Sequence, residues 1–241
     1  MTILSVVKDV CMVIGVNPPT SMFAASIQPR TQAELLSLAN EMAQRIAYDV
    51  REWTAMKAIN TFAAASGVAQ ADGSVAFAMP ANFKRMLLTA QVYSSAVPRL
   101  PLIFVNDTDD WLMRRMSGYI GGWGEWTLLG DNMLVYPAPA AGVTLRFAYL
   151  DKNCVRLFSG GYGDTFMNDS DSFRMHERLL KLGMIWQWKA NKGSPYAEDM
   201  GTYSDALVMV AGADKPAPIL IDRQPISNTA QVAYPWPVPT P

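Results

Sequence analysis

His176-Glu177-Arg178-Leu179-Leu180-Lys181-Leu182-Gly183-Met184-Ile185-Trp186-Gln187-Trp188-Lys189-Ala190-Asn191-Lys192-Gly193 places Leu179, Leu182 and Trp186 at steps of three and four. That spacing lines one side of an α-helix. Past Gly193-Ser194-Pro195 the same period returns at Met200, Tyr203 and Leu207. Two helices across a short turn make an antiparallel hairpin. Beyond Gly212 the period is lost, and Pro216, Pro218, Pro225, Pro235, Pro237, Pro239 and Pro241 forbid helix or central strand. Residues 214–241 are therefore expected to form an extended arm or a disordered tail, and the arm is the reading adopted because their Ile219, Leu220, Ile221, Ile226, Val232, Tyr234 and Trp236 are too apolar for a typical solvating linker.

Upstream of the hairpin, residues 158–171 are rich in Gly and Asp and are expected to form a loop. Before it, Val143, Leu145, Phe147 and Tyr149 alternate in a one-face strand pattern. Residues 126–129 and 133–136 flank Gly130-Asp131-Asn132 as strands on a turn. Residues 61–65 and 75–79, around Ala71-Asp72-Gly73-Ser74, read as a hairpin, and 86–93 as another strand. Between them a helix is expected near 106–116, since Asp107, Asp109 and Asp110 stand at its start and Arg114 and Arg115 at its end, where the dipole favours each sign. Nearest the beginning, Ile3, Val6, Val7, Val10 and Ile14 are helical, stopped by Gly15, Pro18 and Pro19. A longer helix carries Leu35, Leu38, Met42, Ile46, Val50 and Trp53 on one stripe, opened by Thr31 and Glu34 in capping-box spacing.

The expected fold is α+β: an antiparallel α-helical bundle from residues 1–58 and 172–213, an inserted antiparallel β-rich domain over 59–171, and the extended C-terminal arm. Of the 241 residues 50% are hydrophobic and 17% charged, against roughly 25% charged for an average domain. Twenty Lys and Arg balance 21 Asp and Glu, which gives no general attraction for phosphate. No segment reaches the ~18 apolar residues of a membrane span, and the apolar start carries Lys8 and Asp9 without a basic n-region. A cytoplasm-like compartment is expected. Cys11 and Cys154 follow no ligand spacing and read as buried hydrophobes.

Three stretches, in order, resemble the head-to-tail adaptor proteins of tailed bacteriophages of the podovirus type. Residues 176–193, followed by Tyr196-Ala197-Glu198 and Tyr203-Ser204-Asp205-Ala206-Leu207, are similar to that family's E-R-L-L-x-x-G-x-x-W helix ending in K-G and its Y-A-E…Y-x-x-A-L helix. Met79-Pro80-Ala81-Asn82-Phe83-Lys84-Arg85 resembles its L-P-A-D-F-x-R turn, and Tyr136-Pro137-Ala138-Pro139 leading to Phe147-Ala148-Tyr149 its F-P-x-P…F-x-Y hairpin. The Ala-rich residues 63–71 and the Trp/Gly-rich loop around Trp123 depart from the pattern. The resemblance implies a structural protein of the virion neck, assembled in the host cytoplasm as a homo-oligomeric ring of twelve copies. Such a ring docks on the portal protein above and a tail or nozzle protein below, and DNA passes its central channel without specific binding. The portal or neighbouring subunit would be met by Arg178, Lys181 and Trp186 of the hairpin and by Ile219, Ile221, Ile226, Tyr234 and Trp236 of the arm. The tail would be met by a loop carrying Tyr119, Trp123 and Trp126.

Chemistry offers little against this expectation. His176-Glu177 begins like a zinc-protease helix, but Leu180 stands where the second ligand belongs. Asp164, Asp169 and Asp171 lack the Gly and Glu of a calcium loop. No G-x-S-x-G or P-loop is present, so neither catalysis nor a cofactor or metal is expected. Arg174, Arg178, Lys181, Lys189 and Lys192 read either as a DNA-channel lining or as a solvated face. Trp111, Trp123 and Trp126 with Tyr119 read as core of the β domain, or as a sugar-stacking platform, which would make the chain a carbohydrate-binding module. A tail-tube virion component is a further alternative.

Overall fold

The structure is a computed structural model and describes residues 1–23, 29–98, 100–119 and 121–214. It is α+β, and among these residues there are five α-helices and twelve strands. Helix α1 (Ile3–Ile14) is capped by the Thr2 hydroxyl, which accepts from the Ser5 N–H, and closes at Gly15, whose φ of 73° suits a residue without Cβ. Helix α2 (Arg30–Tyr48) buries Leu35, Leu38, Met42 and Ile46 as their spacing predicts. Two expectations about it are corrected. The capping box does not form: Pro29 holds the N-cap position without a side-chain bond, Thr31 lies inside the first turn, and Glu34 pairs instead with Arg30 and Lys192. The helix also stops at Tyr48, so Val50 and Trp53 lie beyond it; Trp53 is still buried, its indole N–H donating to the Ile46 carbonyl at 2.6 Å.

Helices α4 (Glu177–Asn191) and α5 (Ala197–Ala213) pack on each other, and α4 also touches α1 and α2. Together they enclose a core built on Val7, Val10, Cys11, Leu35, Met42, Ile46, Leu179, Leu180 and Met184. Gly183 lets α4 approach α2, since a Cβ there would strike the end of the Met42 side chain.

The strands from β1 (Lys57–Ala63) to β9 (Thr144–Asp151) form two sheets. In the first, β1 and β4 (Phe83–Met86) flank β9 antiparallel, and β5 (Tyr93–Ser94) also pairs with β9. The second has the order β2 (Val68–Ala69), β3 (Val75–Ala78), β8 (Asn132–Tyr136), β7 (Glu125–Leu129), β6 (Ile103–Phe104), antiparallel except for the short β6–β7 pair. Phe62, Phe147 and Tyr149 of the first sheet pack against Phe77, Trp126, Met133 and Val135 of the second. Helix α3 (Thr108–Met116) lies on the other face of the second sheet, where Trp111 joins Ala76, Val105 and Leu134. Strands β10 (Val155–Arg156), β11 (Tyr162–Gly163) and β12 (Ser172–Phe173) make a third, small sheet.

The hairpin expected between residues 61–65 and 75–79 is corrected. The turn at 71–74 is real, but the strand entering it is β2, while β1 pairs with β9, Lys57 opposite Leu150 and Ala63 opposite Thr144. The strand expected over 86–93 is likewise broken, β4 ending at Met86 and β5 beginning at Tyr93. Residues 152–171 also differ from the expected division: Cys154, Val155 and Phe166 belong to the helical core rather than to the sheets.

Candidate functional site

The five cations expected on one face of the C-terminal hairpin are not alike in the structure. Lys181 pairs with Asp9 of α1 at 2.9 Å, Lys189 with Asp199 of α5 at 2.6 Å and Lys192 with Glu34 of α2 at 2.7 Å. Arg174 pairs with Asp151 at 2.8 Å and lies over the Tyr162 ring. Among the described residues only Arg178 of the five has no carboxylate within ion-pairing distance, and it is exposed. These charges therefore tie α4 to its neighbours rather than forming an open basic stripe. Lys192 and Arg30 hold the Glu34 carboxyl below the usual carboxylate range. Trp186, expected at an interface, is half-buried, set against the rings of Tyr196 and Tyr203 with the Arg45 guanidinium over it. Ile219, Ile221, Ile226, Tyr234 and Trp236 lie outside the described residues.

A different picture holds on α3. Asp107 caps it by accepting from the Asp109 N–H at 2.9 Å, as the acidic start predicts. At the other end the side-chain polarity is inverted. Arg115 turns inward, its side chain 2% exposed, and meets Glu125 of β7, which is fully buried. Arg114 reaches the other Glu125 oxygen at 2.7 Å and Asp110 at 2.9 Å, and these two carboxylates, Asp110 foremost, raise its pKa further. The Arg115 guanidinium lies over two aromatic rings, 4.6 Å from the Trp111 ring centre and 3.6 Å from that of Tyr136, and its Nε and Nη1 find no hydrogen-bond acceptor among the described residues. It also donates to the Tyr119 carbonyl at 3.2 Å, and a Cβ at Gly121 would strike the Glu125 carboxylate. The ion cluster thus anchors both ends of the connection that leaves α3 for β7.

With Trp111 and Arg115 inside, Leu112, Met113 and Met116 point outward; Met116 is 91% exposed. Next to them the connection exposes Tyr119 and Trp123, the latter 60%, and β6 exposes Ile103 and Phe104. Tyr119 lies under the Arg114 guanidinium, and Ile103 donates its N–H to the Gly124 carbonyl at 2.9 Å, so helix, connection and strand edge adjoin. Trp126, expected on the same loop, is corrected: it sits in β7 with its ring inside the two-sheet core, 3% exposed, against Phe104. Leu112, Met113 and Met116 were missed because a residue pair Arg115-Met116 ordinarily reads as charge outside and methionine inside.

Two of the acidic residues of 158–171 serve the backbone. Buried Asp171 accepts from the N–H groups of Phe158, Met167 and Asn168 at 2.7 to 2.8 Å, and Asp169 accepts from the Met22 N–H at 2.7 Å. No group of three His, Cys, Asp or Glu that could hold a metal occurs among the described residues. His176 lies at the start of α4, as its N-cap. Both cysteines are free and buried, and burial pushes the Cys154 thiol up to about 11, which keeps it protonated near neutrality. Among the described residues no helix is long and apolar enough to cross a membrane. Compared with known proteins, the chain matches no family model and no curated protein.

Proposed function

We propose that this chain is a structural virion protein, a head-to-tail adaptor that forms a ring beneath the portal and joins it to the tail around a channel for DNA. The observation that carries the reading is the inverted polarity of α3. A helix that buries Arg115 against a buried carboxylate and turns Leu112, Met113 and Met116 to solvent beside Tyr119 and Trp123 is built to meet a protein surface. Exposed apolar groups gathered in this way mark protein contacts, whereas single ones are ordinary. The hairpin motifs that resemble the adaptor family support the reading from a second side. Leu179 and Leu180 fill the core, Gly183 admits α2, and Gly193, with φ 69°, closes α4.

In this reading the helices form an antiparallel bundle that faces the portal, with exposed Arg178 and the arm residues Ile226, Tyr234 and Trp236 in contact. The α3 face with Tyr119 and Trp123 meets the tail or nozzle protein. Twelve copies close by heterologous contacts, one face of each meeting a different face of the next. The chain performs no catalysis and holds no cofactor, and DNA passes without base-specific contact because the hairpin cations other than Arg178 are already paired. The carbohydrate-binding alternative needs Trp111, Trp123 and Trp126 on one surface, and only Trp123 of the three is exposed. The test is the native mass of the portal protein from the same genome, alone and with an excess of this chain. A discrete increase equal to one copy per portal subunit is expected; an unchanged portal mass sinks the adaptor role.

A further inference from the structure

Strand β1 is the longest sheet edge left open among the described residues. It pairs with β9 on one side and with no strand on the other. The Ala64 N–H donates to the Val143 carbonyl at 2.9 Å, which sets the parity of the ladder. Ala58, Asn60 and Phe62 turn their backbone groups to β9, and Lys57, Ile59, Thr61 and Ala63 turn theirs outward. Of these outward groups the Lys57 N–H is taken by the Thr54 carbonyl and the Ala63 carbonyl by the Ser66 hydroxyl. The N–H groups of Ile59, Thr61 and Ala63 and the carbonyls of Lys57, Ile59 and Thr61 have no partner among the described residues. Proteins usually blunt such an edge with charge, proline or a bulge. Here only Lys57 is charged, and Ile59 stands 76% exposed.

Helix α5 delivers the chain to this edge. Asp214, at its C-cap, accepts from the Thr54 N–H at 3.1 Å and pairs with Arg51, and Thr54 is three residues before β1. Next in sequence come Lys215-Pro216-Ala217-Pro218, then the six proline-free residues Ile219-Leu220-Ile221-Asp222-Arg223-Gln224, then Pro225. Four residues reach at most about 13 Å, enough to pass the short turn at Thr54–Met56 and arrive at Lys57. Prolines on both sides bound a segment of nearly the length of β1, and Ile-Leu-Ile is strand-forming sequence.

We propose that residues 219–224 add to β1 of their own chain as a parallel outer strand. The addition satisfies the open backbone groups and covers Ile59. Attachment at Asp214 makes the pairing intramolecular, with an effective concentration in the millimolar range for so short a connection. The pairing is independent of the adaptor role. It assigns Ile219 and Ile221 to the chain's own sheet and leaves Ile226, Tyr234 and Trp236, beyond Pro225, for a partner.

The test compares residue-resolved amide hydrogen exchange of the full chain with that of the full-length variant Leu220→Pro/Ile221→Pro, which blocks pairing in either parity. The Ile59 and Thr61 amides should exchange at least about tenfold faster in the variant, while those of Ala58, Asn60 and Phe62, held by β9, stay protected in both and report an intact fold. Equal rates at Ile59 and Thr61 in the two proteins overturn the proposal. Protection of these amides that fades on dilution of the unaltered chain overturns it as well, because the segment would then belong to the edge of another copy.

Discussion

Helices α3 and α4 both carry several cations, and they dispose of them in opposite ways. On α4 the charged groups stay at the boundary with water, where Lys181, Lys189 and Lys192 each take a carboxylate from a different neighbouring helix, and the apolar residues fill the core. On α3 the arginine goes inside with its carboxylate and the methionines go out. The first arrangement binds the protein to itself. The second gives interior space to an ion pair and leaves apolar surface for something else, a trade that isolated folding stability does not reward.

The contrast breaks most visibly at Glu125. Glu125→Gln leaves Arg115 charged and buried without its carboxylate, a change that costs about 3–5 kcal/mol when one partner of a buried pair is lost. Denaturant unfolding should show a loss of that size; a loss below about 1 kcal/mol, the range of exposed pairs, would mean that the α3 cluster is no different in kind from the pairs on α4.

Lys192→Ala should destabilise the protein far less, and its effect carries a pH signature. Because the folded-state pKa of Glu34 is lowered, its pair contributes above the ordinary carboxylate range and is lost as pH falls through the lowered value. The difference in melting temperature between the variant and the unaltered chain should therefore be present at neutral pH and close under acid conditions. A difference that persists unchanged in acid would assign the effect to the contact of Lys192 with the Trp188 ring instead.

Smallest in stability is Met116→Ser, expected within about 0.5 kcal/mol of the unaltered chain because the side chain touches mostly water. Its consequence lies in association: co-sedimentation with the tail or nozzle protein from the same genome should weaken. Undiminished association together with unchanged stability would remove the outward face of α3 from the interface.

The same contrast marks what could be read from sequence. Helices α1, α2 and α4 were visible because each buries apolar residues at steps of three and four, α5 from the spacing of Met200, Tyr203 and Leu207, of which Tyr203 is buried and Met200 is exposed, and β9 because Leu145, Phe147 and Tyr149 alternate inward. The turn at Gly130-Asp131-Asn132 gave away β7 and β8. The partner of β1 was not visible, since Lys57 meets Leu150 across a separation that no local pattern records. Nor was the fate of Arg115: its burial depends on Glu125 and on two rings from different elements, whereas its own identity argues for the surface. The candidate site was thus half legible. The sequence places Tyr119 and Trp123 on a glycine-rich connection but leaves open whether they and Trp126 fill the β-domain core or face a partner, because only the pairing of β7 decides which tryptophan faces inward.

Strand β9 sends Leu145, Phe147 and Tyr149 into the core between the sheets and Leu150 into the core among the helices, and β1 accompanies it, leaving Met56 in one core just before the strand and placing Phe62 in the other. The two halves of the molecule are therefore joined by a stiff double spar rather than by a hinge. A force applied at the α3 end would be carried to the helices by backbone already bonded to its neighbours, and tilting one half against the other would require shearing that ladder instead of bending a linker.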